Sequence, residues 1–224
     1  MWTALFDIDG TLIRSGGAGL RAIERVLCRR FQTKHVPTVT LHGRTDVGIW
    51  HELLETLQLD VPADLDPFFE EYCVYLKEEM DRNRGKELPG CRDLLKELHQ
   101  SNKVRAGLLT GNVERAAWIK MHVFGLDRYL EDFGGFGNRF ADRNQVAEEA
   151  WQSAKNRLGN QFDPSKVLVI GDTVRDIECG RHIDATVVAV ATGGESKDAI
   201  IDAEPDYFFN DLSDCRAFLA IIES

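Results

Sequence analysis

Asp7 and Asp9 stand one residue apart in Phe6-Asp7-Ile8-Asp9-Gly10-Thr11, where an apolar run gives way to glycine. Like charges that close repel each other, so the pair needs a cation, a shared proton or water. A carboxylate can attack a phosphoryl or carbon centre and form a covalent intermediate. A second one nearby can give a proton to the leaving oxygen and then take one from water. Two more carboxylates, Asp172 and Asp176, lie four residues apart in Gly171-Asp172-Thr173-Val174-Arg175-Asp176. Oxygen ligands of this kind suit Mg2+. For Asp176 alone, a carboxylate at a helix start is a serious rival reading; for Asp172 beside Asp7 and Asp9 it is weaker.

Leu108-Leu109-Thr110-Gly111-Asn112 joins a hydroxyl, a glycine and an amide just before a helical stretch. Hydroxyl and backbone N–H groups so placed bind phosphate oxygens. Capping of the next helix by Thr110 or Asn112 explains the same residues when they are taken alone. A phosphoryl group among several aspartates also needs a positive charge. Lys120, Arg143, Lys155 and Lys166 are the candidates, and spacing does not choose among them.

These groups need elements to position them. Short apolar runs at 1–6, 103–109, 167–170, 186–190 and 207–209 read as strands. Helical stretches at 90–100, 113–123, 143–158, 174–181 and 212–222 lie between or after them. Strands alternating with helices predict a Rossmann-like parallel sheet covered on both faces, an α/β fold in which ligands sit beyond the carboxyl ends of the strands. Asp7, Thr110 and Asp172 all fall at such ends. From Ala18 to Lys86 the alternation stops and helical spacing takes over, as in Leu20, Ile23, Val26 and Leu27. Ser15-Gly16-Gly17 and the stretch Arg84 to Gly90 read as turns or hinges around this insert. The expected division is a core of residues 1–15 and 87–224 with an all-helical cap of residues 16–86, placed to act as a lid.

Length and charge agree with this picture. A chain of 224 residues suits one core plus a modest insertion. A net charge of −10 argues against nucleic acid or anionic membrane as a partner, since their phosphates would be repelled. The 5 cysteines are scattered and odd in number, without a Cys-x-x-Cys pair, which argues against a disulfide framework or structural zinc. Reduced thiols and a start interrupted by Asp7 and Asp9 predict a cytoplasmic protein. No run reaches the roughly 18 apolar residues of a membrane span.

Taken together, the stations resemble the haloacid dehalogenase superfamily of Mg2+-dependent phosphohydrolases. Asp7-Ile8-Asp9-Gly10-Thr11 resembles its Asp-x-Asp-Gly-Thr signature, Thr110 its Ser/Thr motif, and Gly171 to Asp176 its Gly-Asp-x-x-x-Asp motif. The helical insert after the first strand is similar to the cap of the phosphoglycolate phosphatase-like subgroup. The resemblance implies Asp7 as nucleophile and Asp9 as general acid/base. It implies a Mg2+ site of Asp7, the Asp9 backbone carbonyl, Asp172 and Asp176, and a phosphoryl site of Thr110, Gly111 and Asn112. Many members carry a lysine at a further station, but the stretch Phe136 to Asn144 has none. Arg143 takes its place in this reading, with Arg139 and Lys120 as alternatives. In the insert, Leu41-His42-Gly43-Arg44-Thr45-Asp46 resembles a loop that faces the site, which makes Arg44 a candidate substrate contact.

The expected activity is hydrolysis of a small phosphorylated metabolite, a phosphoglycolate-like monoester, by a monomer or homodimer. A phosphosugar mutase and a non-catalytic metabolite-binding protein of the same fold are the alternatives. A 2-haloacid dehalogenase fits less well, because its chemistry needs neither Mg2+ nor the acid at Asp9.

Overall fold

The computed structural model describes the chain apart from residues 34, 35, 83 and 224. The chain opens with β1 (Trp2–Phe6), and a short β2 (Ile13–Arg14) leads into three helices. These are α1 (Ala18–Phe31), α2 (Asp46–Thr56) and α3 (Asp66–Asp81), and β3 (Lys86–Glu87) leads out of them. Alternation then resumes with α4 (Cys91–Gln100), β4 (Val104–Leu109), α5 (Glu114–Val123), β5 (Gly134–Gly135) and α6 (Arg143–Leu158). It continues through β6 (Val167–Gly171), α7 (Val174–His182), β7 (Thr186–Val190), α8 (Lys197–Asp202), β8 (Tyr207–Phe209) and α9 (Cys215–Ile221).

Six strands form one sheet in the order β5-β4-β1-β6-β7-β8, and every pairing is parallel. The α/β architecture with an inserted helical cap is therefore as the sequence pattern predicts. Side-chain alternation assigns the faces. Ala4 and Phe6 join Ala106, Leu108, Leu168 and Ile170 on one face, against α4 and α9 through Leu94, Leu98 and Phe218. Leu5, Leu109, Val167 and Val169 join the other, against α6 through Val146, Ala147 and Ala150. Both faces are buried, which is why the strands read as continuous apolar runs.

The chain moves outward from β1 through β4 to β5, then crosses to β6 on the other side of β1. The order thus reverses beside β1, the crevice where open α/β sheets bind ligands. Phe6 is in register with both Leu108 and Ile170, so β1, β4 and β6 end side by side.

In the insert, α1 and α3 share an apolar seam of Ala22, Ile23, Val26 and Leu27 against Phe69, Tyr72, Cys73 and Leu76. Trp50 of α2 meets the Phe68 ring edge-on, with centroids 5.3 Å apart. This seam is continuous with the apolar layer on one face of the sheet. Where the chain leaves and re-enters the core, β2 and β3 pair antiparallel, Ile13 with Glu87 and Arg14 with Lys86. The ribbon and β5 are absent from the sequence expectations.

Candidate active site

Each acidic or polar station follows directly on a strand. Asp7 continues β1, its N–H donating to the Ile170 carbonyl at 2.9 Å. Thr110 continues β4, its N–H donating to the Gly135 carbonyl at 3.0 Å. Asp172 follows β6, and Asp176 sits in the first turn of α7, where it forms a capping box with Thr173. The helix-start reading of Asp176 is thus correct. It does not exclude the other, because its remaining oxygen turns toward the cluster.

Asp7, Asp172 and Asp176 each offer an oxygen within 4.8 Å of the others, and all three are buried. Thr11 Oγ1 donates to Asp172 Oδ1 at 2.8 Å, whereas Asp172 Oδ2 is buried without a hydrogen-bond partner. A buried carboxylate oxygen in that state is costly unless something positive meets it. Two glycines make room around it. A Cβ on Gly10, whose φ of +98° favours glycine in any case, would come within 2.3 Å of this oxygen, and one on Gly193 within 1.7 Å. The donor set, all oxygen and formally trianionic, fits a hard divalent cation. Burial, then the neighbouring carboxylates, push the pKa values of Asp7 and Asp172 well above the ordinary range.

Arg143, the first residue of α6 and only 6% exposed, faces this cluster. Its Nη2 donates to Asp176 Oδ1, to Asp7 Oδ1 at 3.4 Å and to the Leu109 carbonyl at 3.4 Å. Arg139 instead lies on the surface, 3.8 Å from Glu149.

Asp9 occupies a different environment. Its side chain is 37% exposed, unlike those of Asp7, Asp172 and Asp176. Lys120 of α5 is 3% exposed and brings Nζ to 2.5 Å from both Asp9 Oδ2 and Asn112 Oδ1. Asn112 Nδ2 closes the triangle, donating to Asp9 Oδ2 at 3.0 Å and to Thr110 Oγ1 at 2.8 Å. Burial would raise the pKa of Asp9, but the Lys120 charge and the hydrogen bonds from Lys120 and Asn112 outweigh it and hold the carboxyl low.

The structure therefore brings Asp7, Asp9, Thr110, Asn112, Arg143, Asp172 and Asp176 to one edge of the sheet, with Gly111 between the two phosphate-type side chains. Arg44 is the exception. Its guanidinium lies along α2, on Glu52 and on the Gly48 carbonyl at 3.2 Å. Lys120 ranks only as an alternative by sequence. Its signal is the buried register Ala116, Ala117, Lys120, Met121 on α5, in which one position of an apolar face is a lysine.

The profile of haloacid dehalogenase-like hydrolases matches residues 2–184. The chain belongs to the haloacid dehalogenase-like hydrolase family. Among its curated relatives, the pyrophosphatase PpaX of Bacillus pumilus is 24% identical over 217 residues, spanning 97% of this chain and 95% of that protein. The bifunctional riboflavin kinase/FMN phosphatase of Arabidopsis thaliana is 27% identical over 214 residues, 95% of this chain and 54% of that protein. Among solved structures, β-phosphoglucomutase from Clostridium difficile superposes with a TM-score of 0.74 at 16% identity, covering 100% of this chain and 97% of that one. This haloacid dehalogenase-like hydrolase is thus an enzyme whose fold agrees with its family. No helix among the described residues is long and apolar enough to cross a membrane.

Proposed function

We propose that this enzyme is a Mg2+-dependent phosphatase that hydrolyses a small phosphate monoester through a phospho-aspartate at Asp7. The observation that supports this most is the unpartnered Asp172 Oδ2 within a buried triad of carboxylates, beside a half-open Asp9. Asp7, Asp172, Asp176 and the Asp9 backbone carbonyl would hold the ion. Bound there, Mg2+ supplies positive charge that offsets the carboxylates and the substrate phosphate.

The chain's own groups account for the remainder. The free Asp7 oxygen attacks phosphorus, the bond to the leaving oxygen breaks, and the protonated form of Asp9, which the negative charge of an arriving phosphate favours, delivers its proton to that oxygen. Asp9 then takes a proton from water as the water attacks the phosphorus of the aspartyl phosphate, returning Asp7 as a carboxylate. Thr110 Oγ1 accepts from Asn112, which leaves its own hydrogen to donate to a phosphoryl oxygen. The Gly111 and Asn112 amides and the Arg143 guanidinium complete the phosphoryl site. Residues 1–15 and 87–224 would form the catalytic unit and residues 16–86 the cap that excludes water. Arg44 would reach a substrate only by leaving Glu52.

The test is phosphate release from a panel of phosphate monoesters, with Mg2+ and with EDTA, beside Asp7→Asn. The panel includes 2-phosphoglycolate and hexose phosphates, together with pyrophosphate and FMN because relatives bear those names. Mg2+-dependent release that Asp7→Asn abolishes is expected. Isomerisation of a hexose phosphate with little release would instead identify a mutase, and folded protein inert toward the whole panel would favour a non-catalytic binder.

A further inference from the structure

Val113 precedes the first residue of α5 and has no side chain able to cap that helix. The cap comes from the inserted domain. Asp46, the first residue of α2, accepts the Val113 N–H on Oδ2 at 2.8 Å. The Asp46 N–H itself donates to the Gly111 carbonyl at 2.7 Å, and the next amide, of Val47, donates to the Gly137 carbonyl at 3.2 Å. Thr45 Oγ1 adds a bond to the Ala141 carbonyl at 3.2 Å. One residue of the insert thus grips the peptide Gly111–Val113 at both ends. The approach is close enough that a Cβ on Gly111 would lie 1.9 Å from the Arg44 carbonyl oxygen. Asp46 is 7% exposed, and a carboxylate so buried needs the Val113 donor.

We propose that Asp46 is a positioning residue, which fastens the cap to the loop carrying the phosphoryl-binding groups so that the two order as one unit. This rests on the reading of Thr110 to Asn112 as the phosphoryl site. A phosphate that straightens the Gly111 and Asn112 amides then also sets the Asp46 contacts, and a docked cap presets the loop for phosphate. Binding and cap docking are reciprocally coupled. Truncating Asp46 costs affinity for a phosphate that its side chain does not contact.

Amide exchange of the ligand-free protein, and binding of inorganic phosphate in the presence of Mg2+, test this. In Asp46→Ala, exchange is expected to quicken in two segments together, 46–56 of the cap and 110–117 of the core. Phosphate should bind at least about 5-fold more weakly, the lower end of common coupling strengths. Asp46→Asn should recover most of the affinity, because its Oδ1 accepts the same N–H. Val113→Pro deletes that N–H from the core side at a φ of −60° that proline adopts, and it should reproduce the loss if Asp46→Ala fails to fold. Exchange that quickens in the cap alone, with phosphate affinity unchanged, would overturn the proposal. A wild-type protein that neither binds phosphate nor hydrolyses any monoester would sink the phosphatase reading instead, and the paired exchange change would then judge the fastening by itself.

Discussion

Arg143→Ala removes the only cation in direct contact with the carboxylate triad among the described residues. The two partners lose unequally. Asp176 keeps three donors on Oδ2, from the Asp172 and Thr173 amides and the Thr173 hydroxyl, so its carboxylate stays largely solvated by protein. Asp7 loses its one charged partner and remains beside Asp172. Breaking a buried pair typically costs 3–5 kcal/mol, and the support left at Asp176 puts the expected loss near ~3 kcal/mol. In a chain of this size that lowers Tm by roughly 6–12 °C in EDTA. The site left behind is more negative, so Mg2+ should raise Tm more in the variant than in the wild type. If Arg143 also clamps the phosphoryl group, kcat should fall by about 10²- to 10³-fold, the usual loss for a donor to developing charge. Arg143→Lys should keep much of both properties, having lost the fork but not the charge. Thermal unfolding with and without Mg2+, beside p-nitrophenyl phosphate turnover, reads all of these. Arg143→Ala that melts with the wild type in EDTA and turns over at the same rate would refute the reasoning.

Other expectations follow from the same geometry. Lys120→Met removes the charge that holds Asp9 low, so the limb of the kcat/KM profile governed by Asp9 should move to higher pH; an unmoved profile would make the Lys120–Asp9 contact incidental. Asp46, Asp7 and Asp172 have folded-state pKa values raised by burial to about 6, about 7 and about 9, so the native state binds their protons more tightly than the unfolded chain does. Their contribution is fully present at low pH and is lost as pH rises through those values. In chelator, Tm should therefore fall between about pH 4, where the unfolded carboxyls titrate, and about pH 9, and Mg2+ should flatten that fall; a chelated protein equally stable across the range would contradict it. Arg44→Ala should change KM by less than about 2-fold, because the guanidinium is spent on Glu52 and Gly48 rather than pointed at the carboxylate cluster. A large rise in KM would restore Arg44 as a substrate contact.

The strand ends were legible because each buried strand is a short apolar run stopped abruptly by polar or glycine residues. Asp7, Thr110 and Asp172 can therefore be placed at one edge of the sheet from the sequence alone. β5 could not be seen, since Gly134 and Gly135 carry no side chains to alternate and pair only because β4 lies alongside. The β2–β3 ribbon is 2 residues long on each side, too short for any period to register. Orientation was harder still. Arg44 could be placed in a loop over the site, but where its guanidinium points depends on Glu52 one helical face away. Lys120 reads as a solvated charge until Asp9, 111 residues earlier, is known to lie beneath it. Asp46 was legible as a member of a loop and not as the cap of a helix in the other domain, because a contact across two domains leaves no local spacing.

Among the described residues the two buried cations, Arg143 and Lys120, divide the aspartates between them, and that division separates the proposed roles. Arg143 stands on the side of Asp7 and Asp176, where three carboxylates already crowd and a divalent cation would join them. A lone arginine cannot neutralise that cluster, so the cluster stays short of positive charge and favours the arrival of a cation. Lys120 stands on the side of Asp9, pairs with that single carboxylate, and anchors it through Asn112 to Thr110. Asp9 is therefore already charge-balanced and needs no metal at its side chain. Its side chain remains partly open to solvent. Exchanging the two environments would defeat both roles, since an acid/base drawn into the metal cluster could not move protons and a nucleophile held by an ammonium would be blunted. The Asp-x-Asp spacing makes the separation feasible, with Ile8 fully buried between the two carboxylates and each turned toward its own cation.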